Sequence, residues 1–437
     1  MLGKGYKVFK RTLLFALLTL LIAAPAAAKG EASPLPLLLT VRHVRSSFPG
    51  ETIVSSVNLN NGVVKDLFSV DTPYTDFSLS PTGDRVAYYA EPHQKEEPSY
   101  TSPDLAYYLW DVGAEKSRRV AINGYKLRDA TRGFVPVWSP DGTRIAVVTN
   151  DLQGGNAQIR IIDAATGATL HILTADPPPL YTPVWSPDGS ALAYQAEYCG
   201  RCARGTPYVV SATHDAAARP ILPQESKQVT TDTLIGWLPD SREIIVSSQT
   251  DELLPHPADI VSRWLRINVE TGDIQTIPLT RIPTGCVWLA LISPTTATLM
   301  ADTGNGYRPQ TIDLPTGEGR FPSLIEPLDA NHSITSCSPF ISPDRTRVAL
   351  DSPYGQTPVS IMNVFTGEQV AQLDVPTSHV RSALWTPDGS SVVFQVYPLS
   401  GEQYQIVMEK ADGNGGAHII ARFDNLNERL TFLGWKG

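Results

Sequence analysis

The sequence has few of the features that mark an enzyme or a membrane protein. Its 437 residues include only four cysteines and four methionines. After residue 28, no apolar run approaches the ~18 residues that a membrane-spanning helix requires. It has no Gly-x-Ser-x-Gly, no phosphate-binding glycine-rich loop and no His-Glu-x-x-His. The sequence therefore predicts neither a catalytic nucleophile nor a nucleotide site, and no transmembrane segment once the N-terminus is removed.

The first 28 residues have the pattern of a secretory signal peptide. Four basic residues precede an apolar stretch from Leu13 to Ala24, and Ala26–Ala28 offer a cleavage site with small side chains. The alternative is an N-terminal anchor that is not cleaved. Residues 29–35 are interpreted as a short linker, and the remainder is expected outside the cytoplasm, in the periplasm or secreted.

The charge balance is acidic. The net charge is −9, and it becomes −13 without residues 1–28, which hold four basic and no acidic residues. An acidic chain is poorly suited to nucleic acid or to an anionic membrane surface. We therefore expect no nucleic-acid partner.

A short motif recurs seven times along the chain. Three copies read Trp-Ser-Pro-Asp-Gly or Trp-Thr-Pro-Asp-Gly, and each copy precedes an apolar, β-rich run. The copies are spaced 44 to 59 residues apart, which predicts a repeat array whose closed all-β form is the propeller. The motif prolines are Pro81, Pro140, Pro187, Pro239, Pro294, Pro343 and Pro387.

A second count predicts eight blades. Eight turn dipeptides, most of them typical of tight hairpins, lie between alternating apolar segments. The eighth motif is missing, but Leu430–Trp435 matches the strand that leads into each motif, and Leu37–Val41 is a strand without a motif before it. We therefore expect residues 36–437 to form an eight-bladed propeller in which the C-terminal strand completes the first blade. Seven blades is the alternative if one unit is degenerate.

The repeated residues are interpreted as structural. Proline, aspartate and glycine are the residues that a tight turn needs. The repeated motif tryptophans, such as Trp138 and Trp185, are expected to pack between blades. Function is expected in the variable loops at the opposite end.

Two adjacent variable loops have opposite charge and carry aromatic residues. This arrangement suits recognition of a peptide or sugar, and the alternative is a salt-bridged rim that stabilises the loops. The candidate ligand-binding residues are Tyr198, Arg201, Arg204, Asp251, His256 and Trp264.

A metal site is the alternative function. Four histidines map to the variable loops, although no common spacing joins them. The binding-module interpretation predicts no cofactor, whereas this alternative predicts one divalent metal ion. The candidate ligands are His93, His256, His332 and His379.

The four cysteines are expected to form disulfides, since an exported chain with an even number of cysteines is typical of disulfide pairing. Cys199 and Cys202 suggest a local loop clip, and Cys286 and Cys337 suggest a bond between consecutive blades.

The motif copies at 138–142, 185–189 and 385–389 resemble the TolB-type repeat, a WD40-like propeller repeat of bacterial exported proteins. The resemblance covers about residues 36–436 and implies the fold. TolB carries an α/β domain before its propeller, and this sequence shows no such domain there. The chain also resembles the eight-bladed propeller of dipeptidyl-peptidase-type proteins without their hydrolase domain.

These observations predict a monomeric, non-catalytic extracytoplasmic propeller. Its partner would be an envelope or secreted protein, a peptide or a cell-wall glycan, bound through the variable loops. The alternative is a metal-dependent lyase or hydrolase that acts on an acidic polysaccharide.

Overall fold

The computed structural model describes 21 segments between residues 36 and 436. All of them consist of strands, turns and irregular segments, and none contains a helix. The segments are 36–44, 51–70, 77–90, 106–120, 125–127, 135–151, 157–179, 182–196, 206–222, 229–251, 261–277, 289–293, 295–302, 307–316, 319–320, 340–350, 359–366, 368–373, 378–398, 403–424 and 428–436.

The strands form eight antiparallel sheets, numbered here in chain order. Sheet 1 contains β1 (Leu37–Val44), β2 (Glu51–Asn58), β3 (Val64–Val70) and β33 (Glu428–Trp435), and sheet 2 contains β4 (Phe77–Leu79), β5 (Arg85–Ala90), β6 (Ala106–Asp111) and β7 (Lys116–Val120). Sheet 3 contains β8 (Tyr125–Leu127), β9 (Val137–Trp138), β10 (Arg144–Asp151), β11 (Ala157–Asp163) and β12 (Thr169–Thr174), and sheet 4 contains β13 (Val184–Trp185), β14 (Ala191–Gln195), β15 (Pro207–Ser211) and β16 (Arg219–Pro220).

The second half of the chain repeats this arrangement. Sheet 5 contains β17 (Val229–Trp237), β18 (Glu243–Asp251), β19 (Val261–Asn268) and β20 (Ile274–Ile277), and sheet 6 contains β21 (Leu289–Ser293), β22 (Thr296–Asp302), β23 (Tyr307–Asp313) and β24 (Gly319–Arg320). Sheet 7 contains β25 (Phe340–Ile341), β26 (Arg347–Leu350), β27 (Val359–Asn363) and β28 (Gln369–Leu373), and sheet 8 contains β29 (Ser378–Trp385), β30 (Ser391–Pro398), β31 (Gln403–Lys410) and β32 (His418–Asp424).

The repeated motif forms the turn between the first and second strands of a sheet. In sheet 3 the Asp141 carboxylate accepts hydrogen bonds from Ser139 Oγ at 2.5 Å and from the Thr143 N–H at 3.0 Å. Gly142 has φ +69°, in the left-handed region that favours glycine. The same hydroxyl–carboxylate bond recurs in sheets 4, 7 and 8. The motif aspartate therefore serves the turn, as the sequence predicts.

The core lies between successive sheets. Sheets 3 and 4, for example, bury Ile159 and Ile161 against Leu192 and Tyr194, and sheets 4 and 5 share a similar cluster. Each strand alternates its side chains between the two faces of its sheet, and sheet 4 is packed on a neighbour on both faces.

The motif tryptophans join neighbouring sheets through their indole N–H groups. Each donates to a backbone carbonyl in the first strand of the preceding sheet, an interaction we call an indole bond. The prediction that these tryptophans pack between units is confirmed. The indole bonds are Trp138 to Ser78 O (3.0 Å), Trp185 to Val137 O (3.0 Å), Trp237 to Val184 O (3.1 Å), Trp385 to Phe340 O (2.8 Å) and Trp435 to Trp385 O (2.8 Å).

Two arginines strengthen this joint from the other side. The guanidinium carbon of Arg144 lies 5.1 Å from the Trp185 ring centroid, and its Nη2 donates to Gly189 O at 2.8 Å. Arg347 makes the equivalent contacts with Trp385, at 4.9 Å, and with Gly389 O, at 2.8 Å. Both arginines begin the second strand of the preceding sheet. Each therefore contacts both the motif tryptophan and the motif turn of the next sheet.

The C-terminal strand belongs to the first sheet. β33 pairs antiparallel with β1 from Val44↔Glu428 to Leu38↔Trp435, with one register shift. Towards sheet 8, Gln395 Nε2 donates to Leu430 O at 2.8 Å, in addition to the Trp435 indole bond. The pairing predicted from residues 430–435 is therefore present.

Candidate functional site at the loop end of sheets 4 and 5

The two ends of each sheet differ in their connections. Because adjacent strands are antiparallel, successive connections alternate between opposite ends. The motif turns and the third-to-fourth-strand hairpins share one end, which we call the turn end. The second-to-third-strand connections and the connections between sheets share the other, which we call the loop end.

Most of the predicted ligand-binding residues fall, in the sequence, between strands that are joined at the loop end. Tyr198, Arg201 and Arg204 belong to the connection between β14 and β15, and His256 belongs to the connection between β18 and β19. These four residues are outside the described segments. Asp251 is the last residue of β18, where its backbone pairs with Val229. β14 and β18 are both second strands, and their sheets pack on each other through Ala193 and Val246. The two connections therefore start from neighbouring points of the same end.

Trp264 occupies a different environment from the one the sequence suggests. It lies within β19, opposite Ser247 and Ile277, and its side chain is 0% exposed. Its ring belongs to the core between sheets 5 and 6, together with Leu238 and Ala297. In this arrangement Trp264 offers no surface to a ligand. The indole N–H has no hydrogen-bond partner in the structure as described.

The base of the 197–205 connection is tightly held. The Ala196 N–H donates to Thr206 O at 3.0 Å, which closes the end of the β14–β15 pair. Ala196 also forms an antiparallel bridge with Pro179, in the connection between sheets 3 and 4. The Tyr194 hydroxyl donates to Pro177 O at 3.2 Å in that same connection, which contains the cis Asp176–Pro177 bond. Two loop-end segments are therefore joined at the point where the predicted binding loop begins.

A pair of tyrosines lies beneath this base. The rings of Tyr194 and Tyr208 stack with centroids 5.7 Å apart and planes at 15°. Burial raises the pKa of Tyr194 far above its usual range, and the neighbouring Tyr208 and the Asp176 carboxylate raise it further. The phenol therefore stays neutral and remains a donor to Pro177 O. Sequence reasoning missed this anchor, because a hydroxyl-to-carbonyl bond between residues 17 positions apart has no periodic signature.

The metal alternative is not tested by the described residues. His93, His256 and His332 are outside them, as are all four cysteines, and His379 is described only as a strand residue of β29, opposite Tyr397. Within the segments that the structure covers, no group of three or more His, Cys, Asp or Glu residues could hold a metal ion. The metal site and the disulfides stay predictions. No helix long and apolar enough to cross a membrane occurs in the described part of the chain.

The chain is similar to several solved structures. Dipeptidyl peptidase 4 of Porphyromonas gingivalis is similar with a TM-score of 0.54 and 12% identity, over 89% of this chain and 59% of the peptidase chain. The β-propeller domain of the Trilobed protease of Pyrococcus furiosus matches with a TM-score of 0.45 and 9% identity, over 89% of this chain and 99% of that domain. TolB of Acinetobacter baumannii matches with a TM-score of 0.33 and 13% identity, over 66% and 63% of the two chains.

No protein-family model matches the chain, and no curated protein matches it. The chain spans less than two thirds of the length of the peptidase and of TolB. Identities this low relate folds and not activities. The eight antiparallel sheets of four or five strands, together with the similarity to the peptidase, support the β-propeller fold that the repeated motif predicts.

Proposed function

We propose that the eight sheets are the blades of one closed propeller that acts outside the cytoplasm as a non-catalytic binding module. Closure is supported by β33, which hydrogen-bonds to β1 of sheet 1 and also contacts β29 of sheet 8 and β4 of sheet 2. The Trp435 indole bond and the Gln395 bond span sheets 8 and 1. In a closed ring, every sheet has a neighbouring sheet on each of its two faces.

The loop end of sheets 4 and 5 is the proposed binding surface. The observation that carries this proposal is the closed base at Ala196, because it presents the long 197–205 connection from a fixed point. Binding residues on loops held by a rigid scaffold lose less conformational freedom when a ligand binds.

The charges of the two connections support recognition of a ligand that carries both positive and negative groups. The 197–205 connection contains Arg201 and Arg204, whereas Asp251, Glu252 and Asp259 lie in or next to the other. Arginine forms bidentate bonds with carboxylates, and carboxylates accept from amines. An envelope or secreted protein, a peptide or a cell-wall glycan with peptide side chains offers such groups.

Binding is tested with immobilised peptides and peptidoglycan fragments. A ligand selected on these arrays is then titrated into the purified protein by calorimetry. The charge-reversed variant Arg201→Glu/Arg204→Glu is expected to weaken binding at least tenfold. Glu270→Lys, an exposed hairpin residue at the turn end, is the matched control and is expected to bind as the unaltered protein does.

Two results would contradict the proposal. Absence of any selected ligand on both arrays would argue against a peptide or glycan partner. If Glu270→Lys no longer binds the ligand but the double variant still does, the binding site would be at the turn end.

A further inference from the structure

Sheet 6 departs from the repeat at the positions that join one sheet to the next. The indole bond requires a tryptophan at the first motif position of a sheet. Sheet 6 has Ile292 at that position, and sheet 7 has Ile341. Sheet 6 therefore lacks the bond on both of its sides, whereas sheets 3, 4, 5 and 8 each make it with the sheet before them.

The motif turn of sheet 6 is also different. In sheet 4, Trp185 pairs with Leu192 across a turn in which the Ser186 N–H donates to Ala191 O. In sheet 6, the register shifts between Leu291 and Ser293, and Ser293 pairs with Thr296. The motif copy here contains neither aspartate nor glycine, so the carboxylate-centred turn of sheets 3, 4, 7 and 8 cannot form.

The sheet 5–6 junction carries a different set of polar groups. Glu243 begins β18, the position that Arg144 and Arg347 occupy in sheets 3 and 7. It forms an ion pair with Arg266 of the same sheet instead of reaching the next sheet. The Trp264 N–H is buried at this junction without a partner in the described structure. A buried donor without an acceptor weakens the packing that surrounds it.

Sheet 2 also lacks a motif tryptophan, but its joint is reinforced by aromatic packing. Phe68 of sheet 1 lies 4.7 Å from the Trp110 ring and 5.2 Å from the Tyr88 ring of sheet 2. Leu79, which replaces the tryptophan, packs in the same cluster. Sheet 2 therefore has an aromatic cluster at the joint where its motif tryptophan is replaced.

We propose that sheet 6 is the opening segment of the propeller: it separates from sheets 5 and 7 as a unit while the other sheets stay packed. The joint between the chain ends, sheets 8 and 1, is held by the Trp435 and Gln395 bonds. The two joints of β21–β24, which lie in mid-chain, are instead both without an indole bond. Opening there exposes the faces of sheets 5 and 7 that pack on sheet 6 and gives lateral access to the first strands. This inference does not depend on the binding surface proposed above.

Native-state amide exchange with mass spectrometry tests the opening on the purified protein. Peptides from β22 and β23 are compared with peptides from β14 and β15, the equivalent strands of sheet 4, in the same sample. Exchange through a local opening reports the free energy of that opening. Protection in sheet 6 is expected to be at least about tenfold lower, because a net hydrogen bond is missing on each side.

A gain-of-bond variant gives the sharper test. Ile341 pairs with Val348 in the register with which Trp385 pairs with Val392, so Ile341→Trp places an indole in the position that makes the bond in sheet 8. Ile341→Phe adds a ring without the N–H and is the matched control. The tryptophan variant is expected to raise β22 and β23 protection at least about threefold over the phenylalanine variant, and to leave β14 and β15 unchanged.

Trp185→Phe provides the reverse test and does not depend on how Ile341 variants fold. Loss of its indole bond is expected to lower β14 and β15 protection towards that of sheet 6. Equal protection in sheets 4 and 6 of the unaltered protein would overturn the proposal. So would equal protection of sheet 6 in the Ile341→Trp and Ile341→Phe variants.

Discussion

The joint between sheets 3 and 4 combines two interactions that a double-mutant cycle can separate. Trp185→Phe removes the donor to Val137 O, and Arg144→Met removes the donor to Gly189 O but keeps an apolar stem. A carbonyl that loses its buried partner costs about 1–3 kcal/mol, so Trp185→Phe should lower the free energy of unfolding by that amount. Arg144 is half-buried, and its loss should cost about 1–2 kcal/mol.

The coupling between the two side chains is the quantity of interest. The guanidinium stands 5.1 Å from the Trp185 ring, and such a cation–π contact contributes about 0.5–1 kcal/mol at a partly exposed site. The two substitutions should therefore destabilise together by that much less than the sum of the single effects. Urea unfolding of the unaltered protein, both single variants and the double variant gives the coupling energy.

A remote pair supplies the control for this cycle. Arg144→Met combined with Trp385→Phe changes residues in sheets 3 and 8, which share no contact through these side chains. Effects at distant sites add to within about 0.3–0.5 kcal/mol. A coupling energy near zero for Arg144 and Trp185, or an equal one for Arg144 and Trp385, would refute the assignment of this pair as a joint between sheets.

Four further outcomes are expected. Arg345→Gly should raise the free energy of unfolding by about 1 kcal/mol, measured by urea unfolding, because Arg345 has φ +58° where four of the other motif copies carry glycine. The pKa of Asp388 is held low by the Thr386 hydroxyl and then by the Ser390 N–H, so the stability it adds is present above about pH 4 and lost as pH falls through its folded pKa. The melting temperature of Asp388→Asn should therefore fall less steeply between pH 5 and pH 2 than that of the unaltered protein. Tyr194→Phe should weaken ligand binding at the loop end more than it lowers the melting temperature, because it releases the Pro177 anchor; calorimetry and thermal unfolding measure the two effects. Elemental analysis before and after chelation should find no stoichiometric metal, and one tightly held divalent ion per chain would favour the enzyme alternative.

The repeated part of the fold could be predicted because each unit repeats its own local chemistry. The Trp-Ser-Pro-Asp-Gly copies predict turns, and the structure contains them with the Ser139–Asp141 bond in sheet 3. The C-terminal strand was predictable for the same reason, since Leu430–Trp435 matches the other first strands. The irregular turn of sheet 6 had a signal too, because residues 293–296 lack the aspartate and glycine of the motif.

Interactions between sheets were harder to predict. The bonds from Arg144 to Gly189 O and from Tyr194 to Pro177 O join a side chain to a backbone carbonyl, and any residue type supplies that carbonyl. The sequence suggests that Trp264 belongs to a variable loop, whereas strand β19 starts at Val261 and the Trp264 ring lies in the core. The predicted loop residues Tyr198, Arg201 and Arg204 belong to the connection between β14 and β15. The strand pattern predicts where this connection begins and ends, but it does not predict the path of the backbone between those points.

In a propeller, the departures from the repeat are more informative about function than the repeat itself. A residue present in every sheet, such as Asp141 or Asp388, performs a task that every sheet needs, and its hydrogen bonds account for it within the turn. A binding site must distinguish one sheet from its neighbours, so it requires residues that do not recur. Two kinds of departure exist here. Sheets 4 and 5 keep the standard joint at Trp237 and vary in their loop-end connections, whereas sheet 6 changes the joint itself. The first kind alters what the surface presents and the second alters how firmly a sheet is held. The proposed recognition and the proposed opening therefore depend on different residues in adjacent sheets, and we expect that each can be changed without the other.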